Sequence, residues 1–335
     1  MTVPLSILDL APISKGQSTG EAIAATVALA QEAEVSGYRR VWYAEHHNMS
    51  SIASSATSVL IGHVAGQTST IRLGSGGVML PNHSPLTIAE QFGTLSAIYP
   101  GRIDLGLGRA PGSDQATMRA LRRDPMSADS FPHDVLELQA YLGDESRVPG
   151  VHAVPGRGSH VPLYILGSSL FGARLAAAFG LPFAFASHFA PGALQEAVAI
   201  YRREFRASAQ LGQPHVMAGV NVIAADTTSR AESELHRLKL NRVSALYGRG
   251  GRKFSDEEAE QVLQSDAGQH IEEMVTYAAV GTPAEVRDYL EQFVKHADAD
   301  ELITTHSLST IEGRLRSVAL LAEAMTPDGG GDQTR

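Results

Sequence analysis

The chain contains no cysteine. Disulfides, thiolate metal centres and cysteine nucleophiles are therefore excluded. A basic block is missing too: 27 Lys and Arg stand against 36 Asp and Glu, a net charge of −9. That balance argues against nucleic acid or an anionic membrane as the main partner. No apolar run is long enough to span a bilayer, and the N-terminus lacks a basic segment followed by an apolar one, so the cytoplasm is the expected location. His-x-His and His-Glu-x-x-His spacings are also absent, and the adjacent His46 and His47 should point to opposite sides of a strand end. No metal centre is expected. What is present is an ordinary globular composition, 43% hydrophobic and 19% charged over 335 residues, enough for one large α/β domain or two small ones.

The most informative stretch runs from Ile71 to Ser113. An apolar run broken by glycines, Ile71 to Leu80, stops at Pro81-Asn82-His83-Ser84-Pro85. Ser84 reads as a helix N-cap with Pro85 in the first turn, and Ile88, Phe92, Leu95 and Tyr99 form one buried helical stripe. Ile103 to Leu107 is a second strand, leading into Gly108-Arg109-Ala110-Pro111-Gly112-Ser113. This is a βαβ unit with polar and glycine residues gathered after each strand. Gly106-x-Gly108 does not make a dinucleotide fingerprint, because the third glycine falls at 112, one place late, and Pro111 intrudes.

Strands near residues 5, 41, 73, 104, 164, 184, 219 and 303 alternate with helices along the whole chain. Capping boxes at Ser18-x-x-Glu21, Thr282-x-x-Glu285 and Ser309-x-x-Glu312 open three of the helices, and another is expected around Pro191–Leu211. Eight right-handed βα crossovers predict an α/β fold, a (β/α)8 TIM barrel over residues 1–325. A doubly wound open sheet is the structural alternative. Residues 228–280 read as a helical insertion before the last βα units, and 326–335 as a disordered tail.

In such a barrel the site lies at the C-terminal strand ends. Glu45, His46, His47, Asn82, His83, Arg109, Gly167, Ser168, Ser169, His188 and His306 all fall there. The histidines suggest proton handling, though each taken singly reads as a hydrogen-bonded structural residue. Arg109 beside flexible backbone N–H groups suits a phosphate. Gly167-Ser168-Ser169 before a helix offers an anion cradle, which is compatible with plain N-capping by either serine. Gly76-Gly77 inside a strand has two readings: a bulge or crowded packing spot, or bare backbone against a flat group. A phosphate and a flat ring together suggest a mononucleotide such as FMN.

Ala44-Glu45-His46-His47, the Gly74–Pro81 segment, Gly101–Arg109 and Val280-Gly281-Thr282-Pro283-Ala284-Glu285 together resemble the bacterial luciferase-like flavin-dependent monooxygenases. The likeness runs over about residues 3–325. It implies a (β/α)8 barrel that uses reduced FMN (FMNH2) from a separate NAD(P)H:flavin reductase, and O2, to oxidise a small organic substrate. His46 matches the family's catalytic histidine, and Gly76-Gly77 the strand-three pair, often joined by a cis peptide, that lies against the flavin ring. Arg109 matches the arginine on the FMN phosphate. Gly167 and Phe171 stand where the luciferase phosphate loop has an acidic residue and a threonine, so backbone N–H groups, Ser168 and Ser169 should carry more of that contact. The resemblance also implies a mobile lid in 228–280, with Gly248–Phe254 as its moving part, and a possible homodimer. Two other functions stand beside this one: a flavin-binding protein without turnover, and a flavin-independent barrel hydrolase, for which no paired nucleophile and base is visible. The substrate is not legible.

Overall fold

A computed structural model describes residues 3–14, 16–110, 114–248 and 254–326. The chain runs β1 (Leu5–Asp9), α1 (Thr19–Val35), β2 (Arg40–Tyr43), α2 (Thr57–Ala65), β3 (Arg72–Met79), α3 (Pro85–Ile98) and β4 (Ile103–Gly108). It continues α4 (Gln115–Ala120), α5 (Phe131–Leu142), β5 (Leu163–Gly167), α6 (Leu170–Phe179), β6 (Phe183–Phe185), α7 (Leu194–Glu204) and β7 (Val216–Ala224). The last part is α8 (Thr228–Tyr247), α9 (Asp256–Leu263), α10 (Asp266–Met274), β8 (Ala278–Gly281), α11 (Pro283–Ala297), β9 (Glu301–Thr305) and α12 (Ile311–Met325). Strands β1 to β7 and β9 pair in parallel around a closed ring, with β6 on β7 and β9 back on β1. This is a (β/α)8 barrel.

The eight ring strands are those read from the sequence; β8 is an addition. Its four residues pair only with Asn221–Ala224, the outer half of β7, so it lies outside the ring and the insertion is not purely helical. The capping boxes at Ser18 and Thr282 are present, and Ser84 caps α3 through Thr87 N–H. The last helix is capped one residue later than expected, by Thr310, whose side-chain oxygen accepts from Gly313 N–H, rather than by Ser309. Ser309 is engaged elsewhere, on Glu234. The helix expected over 191–211 is shorter, because the backbone turns extended at Phe205. Residues 111–113, the 249–253 part of the expected lid segment, and the 327–335 part of the expected tail lie outside the described residues.

Strand alternation sorts the side chains into two sets. The outward set packs under the helices, for example Ile7, Val41, Leu73, Leu105, Ile165, Val220 and Leu302. The inward set fills the barrel in layers. At the N-terminal end a charged layer holds Arg40 between Asp104 and Glu301. Above it Leu8, Trp42, Tyr164, Ala184, Met217 and Ile303 form an apolar plug. The site must lie above that plug.

Candidate active site at the barrel mouth

The segment after β2 is organised by Glu45. This carboxylate is buried and continues the outward series Val41, Tyr43. Its Oε1 lies 2.8 Å from His47 Nε2 and 2.9 Å from His83 Nε2, and its Oε2 accepts Met79 N–H at 3.1 Å. Burial pushes the carboxyl up, but the histidine and backbone hydrogen bonds outweigh it and hold the group below the usual carboxylate range. An ionised carboxylate only accepts, so both imidazoles donate through Nε2. Glu45 thus ties the segment after β2 to the one after β3. Their ligand atoms all lie within 4.8 Å of one another, a cluster that could also hold a metal ion. His46 and His47 point to opposite sides as expected, but Glu45 and His47, two apart, share a side.

His46 takes the opposite face and continues the inward series Arg40, Trp42, Ala44. Its Nδ1 is buried with no hydrogen-bond partner, and burial lowers its pKa. At neutral pH it is a neutral imidazole with an unsatisfied ring nitrogen at the mouth, ready to hydrogen-bond a ligand or exchange a proton with one.

The Gly76–Gly77 peptide bond is cis. A Cβ on Gly76 would lie 2.6 Å from Leu8 Cδ1, and one on Gly77 would lie 2.8 Å from the Gly106 carbonyl oxygen. The register against β4 also shifts between Ser75 and Val78. Crowding and a bulge therefore account for these glycines, and a flat ligand over the same backbone is compatible with both.

Arg109 follows β4, and Gly167, Ser168 and Ser169 lead from neighbouring β5 into α6. The Arg109 guanidinium sits 4.2 Å over the Phe171 ring, in the first turn of α6. Ser169 occupies the N-cap position, yet its side chain makes no capping hydrogen bond. The plain N-capping reading is thus not realised at Ser169, and the positive dipole end of α6 lies beside a stacked arginine. Such an arrangement fits a phosphate. Phe171, a departure from the luciferase pattern, is what steers the guanidinium.

The opposite wall is built by β6, β7, β9 and the insertion. His188 packs above Gly219 with its ring nitrogen Nδ1 buried, and a Cβ on Gly219 would fall 2.4 Å from that atom. Burial, with Arg242 nearby, depresses His188 to about 3, and its Nδ1 has no partner. Arg242 reaches in from α8: its Nη2 donates to Asn221 Oδ1 at 3.1 Å and to the His188 carbonyl at 3.4 Å. Thr305 Oγ1 donates to the same Asn221 oxygen at 3.1 Å. Nothing in the sequence pattern separates Arg242 from the other charges of α8.

His306 is corrected. It faces outward from β9, 2.9 Å from Ser317 Oγ on α12 and 3.1 Å from Thr304 Oγ1. Alternation explains this: Ile303 and Thr305 point in, so Thr304 and His306 point out.

The family model for luciferase-like monooxygenases matches residues 3–300. A luciferase-like monooxygenase of Escherichia coli (strain K12) is 49% identical over 322 residues, covering 95% of this chain and 96% of the relative. The N-acetyl-S-alkylcysteine monooxygenase of Bacillus subtilis (strain 168) is 35% identical over 331 residues, covering 96% and 98%. Among solved structures, apo-MsnO8 superposes with a TM-score of 0.86 at 33% identity, covering 96% of this chain and 98% of that one. More distant structures share the fold alone. One is the oxygenating constituent of 3,6-diketocamphane monooxygenase from Pseudomonas putida with FMN, at 16% identity and TM-score 0.72, covering 98% and 99%. Another is an F420-dependent secondary alcohol dehydrogenase, at 17% and 0.70, covering 97% and 99%. The chain belongs to the luciferase-like monooxygenase family and is an enzyme of that flavin-type monooxygenase class.

Proposed function

We propose that the protein is an FMN-dependent monooxygenase that receives FMNH2 from a separate NAD(P)H:flavin reductase and uses O2 to oxidise a small organic substrate. The observation that carries this reading is the Arg109 guanidinium stacked on Phe171 at the uncapped start of α6. A phosphate held there by Arg109, Ser168, Ser169 and the first-turn N–H groups leaves a ring system to extend over Gly76 and Gly77, two strands away. Reduced flavin, when bound, supplies the electrons that activate O2.

The protein's part is binding, proton control and exclusion of water. His46, kept neutral by burial, holds or moves a proton at its unsatisfied Nδ1. Glu45 fixes the backbone on either side of it through His47, His83 and Met79. Helix α8 lies across one side of the mouth, where Arg242 reaches in, and helps keep water from the reacting centre. The absent dinucleotide fingerprint supports an external reductase. Val35, Val59 and Ile98, strongly exposed apolar residues on α1, α2 and α3, support assembly as a homodimer, and the cytoplasm is the location that goes with this reading. An N-acetyl-S-alkylcysteine is one substrate to try, given the relative that carries that name.

The test is a titration of FMN, riboflavin and F420 into the protein and its Arg109→Ala variant, followed by oxygen uptake with FMNH2. Arg109→Ala should weaken FMN by about tenfold or more while leaving riboflavin affinity within about twofold. Equal weakening of both would reject the phosphate assignment, and tighter binding of F420 than of FMN would replace the cofactor. His46→Ala should keep FMN affinity and lower the product formed per O2 consumed; an unchanged product yield would remove His46 from the chemistry.

A further inference from the structure

Among the described residues Arg242 is a charged group without a counter-ion. Its Nη1 is buried with no hydrogen-bond partner, and its Nη2 spends itself on two neutral oxygens, Asn221 Oδ1 and the His188 carbonyl. Among the described residues no carboxylate comes within ion-pair distance of it. Burial alone lowers this guanidinium to about 10, with no acidic neighbour pushing the other way. A guanidinium at that pKa is still fully charged at neutral pH, so an uncompensated positive charge stands in the wall of the mouth.

Its position gives the charge a use. Asn221 and Thr305 are inward-facing residues at the C-terminal ends of β7 and β9, and His188 covers Gly219 on β7. Arg242 and His188 therefore present two unpartnered buried polar atoms, Nη1 and Nδ1, on one wall. The residues that fit a phosphate, Arg109 and Gly167 to Ser169, belong to the ends of β4 and β5, and the glycine pair belongs to β3. In the closed ring, β7 and β9 lie across from β3 and β4. The Arg242 wall is thus separate from the flavin anchor and faces it across the mouth.

We propose that Arg242 is the specificity-determining residue for the substrate: it binds an anionic group, a carboxylate in the first place, with His188 as a neutral hydrogen-bonding neighbour. This deepens the monooxygenase reading and rests on it for the word substrate, though the anion site itself stands on the geometry. A planar guanidinium with one face of donors unused matches a carboxylate, and a desolvated wall makes the pairing stronger than it is in water. An uncharged analogue loses this contact and leaves the guanidinium unpaired, so the site discriminates against neutral molecules of the same shape.

The experiment uses the full chain, with and without FMN, and calorimetric titration of acetate, hexanoate and phenylacetate, each beside its carboxamide. At least one acid should bind about tenfold or more tightly than its amide. Arg242→Met should abolish that preference, Arg242→Lys should keep part of it, and FMN affinity should stay unchanged in both. No preference for any acid, or a preference that survives Arg242→Met, overturns the proposal. So does a loss of FMN or FMNH2 affinity in Arg242→Met, which would assign the charge to the flavin. Because the titration is also run without FMN, a protein that fails to bind flavin still reports on the anion site. Failure of the flavin reading and failure of this one are therefore seen separately.

Discussion

Two arginines mark the two ends of this barrel, one fully buried and one half-buried, and they are opposites. At the N-terminal end Arg40 lies 2.8 Å from Asp104 and 3.0 Å from Glu301, donates to Tyr164 Oη at 2.6 Å, and packs against the Trp42 and Tyr164 rings. Arg72 adds a second cation to Asp104, while Ser6 and His215 donate to Glu301. Burial disfavours the charge on Arg40, but the two carboxylates outweigh burial and its pKa rises. At the other end Arg242 has no carboxylate beside it among the described residues, and burial lowers its pKa. A compensated charge is part of the framework, whereas an uncompensated one, in a family whose chemistry takes place at that end, is a place for a ligand. A cavity of about 210 Å³ at the closed end, lined by Arg39, Arg40, Tyr164, Gln210 and His215, belongs to the first kind.

The largest effect is expected at the closed end. Arg40→Met would leave Asp104 and Glu301 buried with fewer partners. Removing one member of a buried ion pair costs about 3–5 kcal/mol. Denaturant unfolding should show a loss of that size, and a loss below about 1 kcal/mol would mean that the charged layer is not a framework.

Acid should act next, through the buried imidazoles. Burial holds His188 and His306 at about 3, against an ordinary value of 6.5. Below pH 6.5 the unfolded chain takes up protons that the folded chain refuses, so stability falls as pH drops from about 6.5 toward 3. By pH 5 the loss should be roughly 2 kcal/mol per histidine, since 1.5 pH units correspond to about that much. Below about pH 4.5 Glu45 and Glu301 add to the loss, because both carboxyls are held below their ordinary value and their stabilisation disappears on protonation. Melting temperature against pH checks this. His306→Gln should cut the slope between pH 6.5 and 5 by about half, and an undiminished slope would place the proton uptake elsewhere.

The ring of eight strands was legible because each ring strand is a short apolar run punctuated by glycine, proline or a cap. β8 was not, since Ala278–Gly281 merges with the capping box of α11 and pairs only outside the ring. The charged layer was invisible for a different reason. Arg40, Asp104 and Glu301 are far apart in sequence and meet only because closure makes β1, β2, β4 and β9 share an axis. At the mouth, His46, Arg109 and Gly167 to Ser169 were placed correctly at strand ends by topology alone. The shared side of Glu45 and His47 and the outward turn of His306 both follow from two-residue alternation continuing past the strand ends. Arg242 carries no sequence signal: it is one cation in a charged helix, and only the missing carboxylate around it sets it apart.

The smallest effect is expected at the mouth. Arg242→Met removes two hydrogen bonds, to Asn221 and to the His188 carbonyl, each worth about 0.5–1.5 kcal/mol. It also removes a half-buried charge with no counter-ion, and methionine can follow the same path along α8 with an apolar chain. The two terms oppose each other, and the net change in unfolding free energy should stay within about 1 kcal/mol of zero. Arg40→Met makes the same chemical substitution at the other end and should cost several times more. If the two variants proved equally destabilised, Arg242 would be a clamp holding α8 to the barrel, with its charge balanced by something the geometry does not show. If only Arg40→Met is destabilised, the cation at the mouth is not there for the fold.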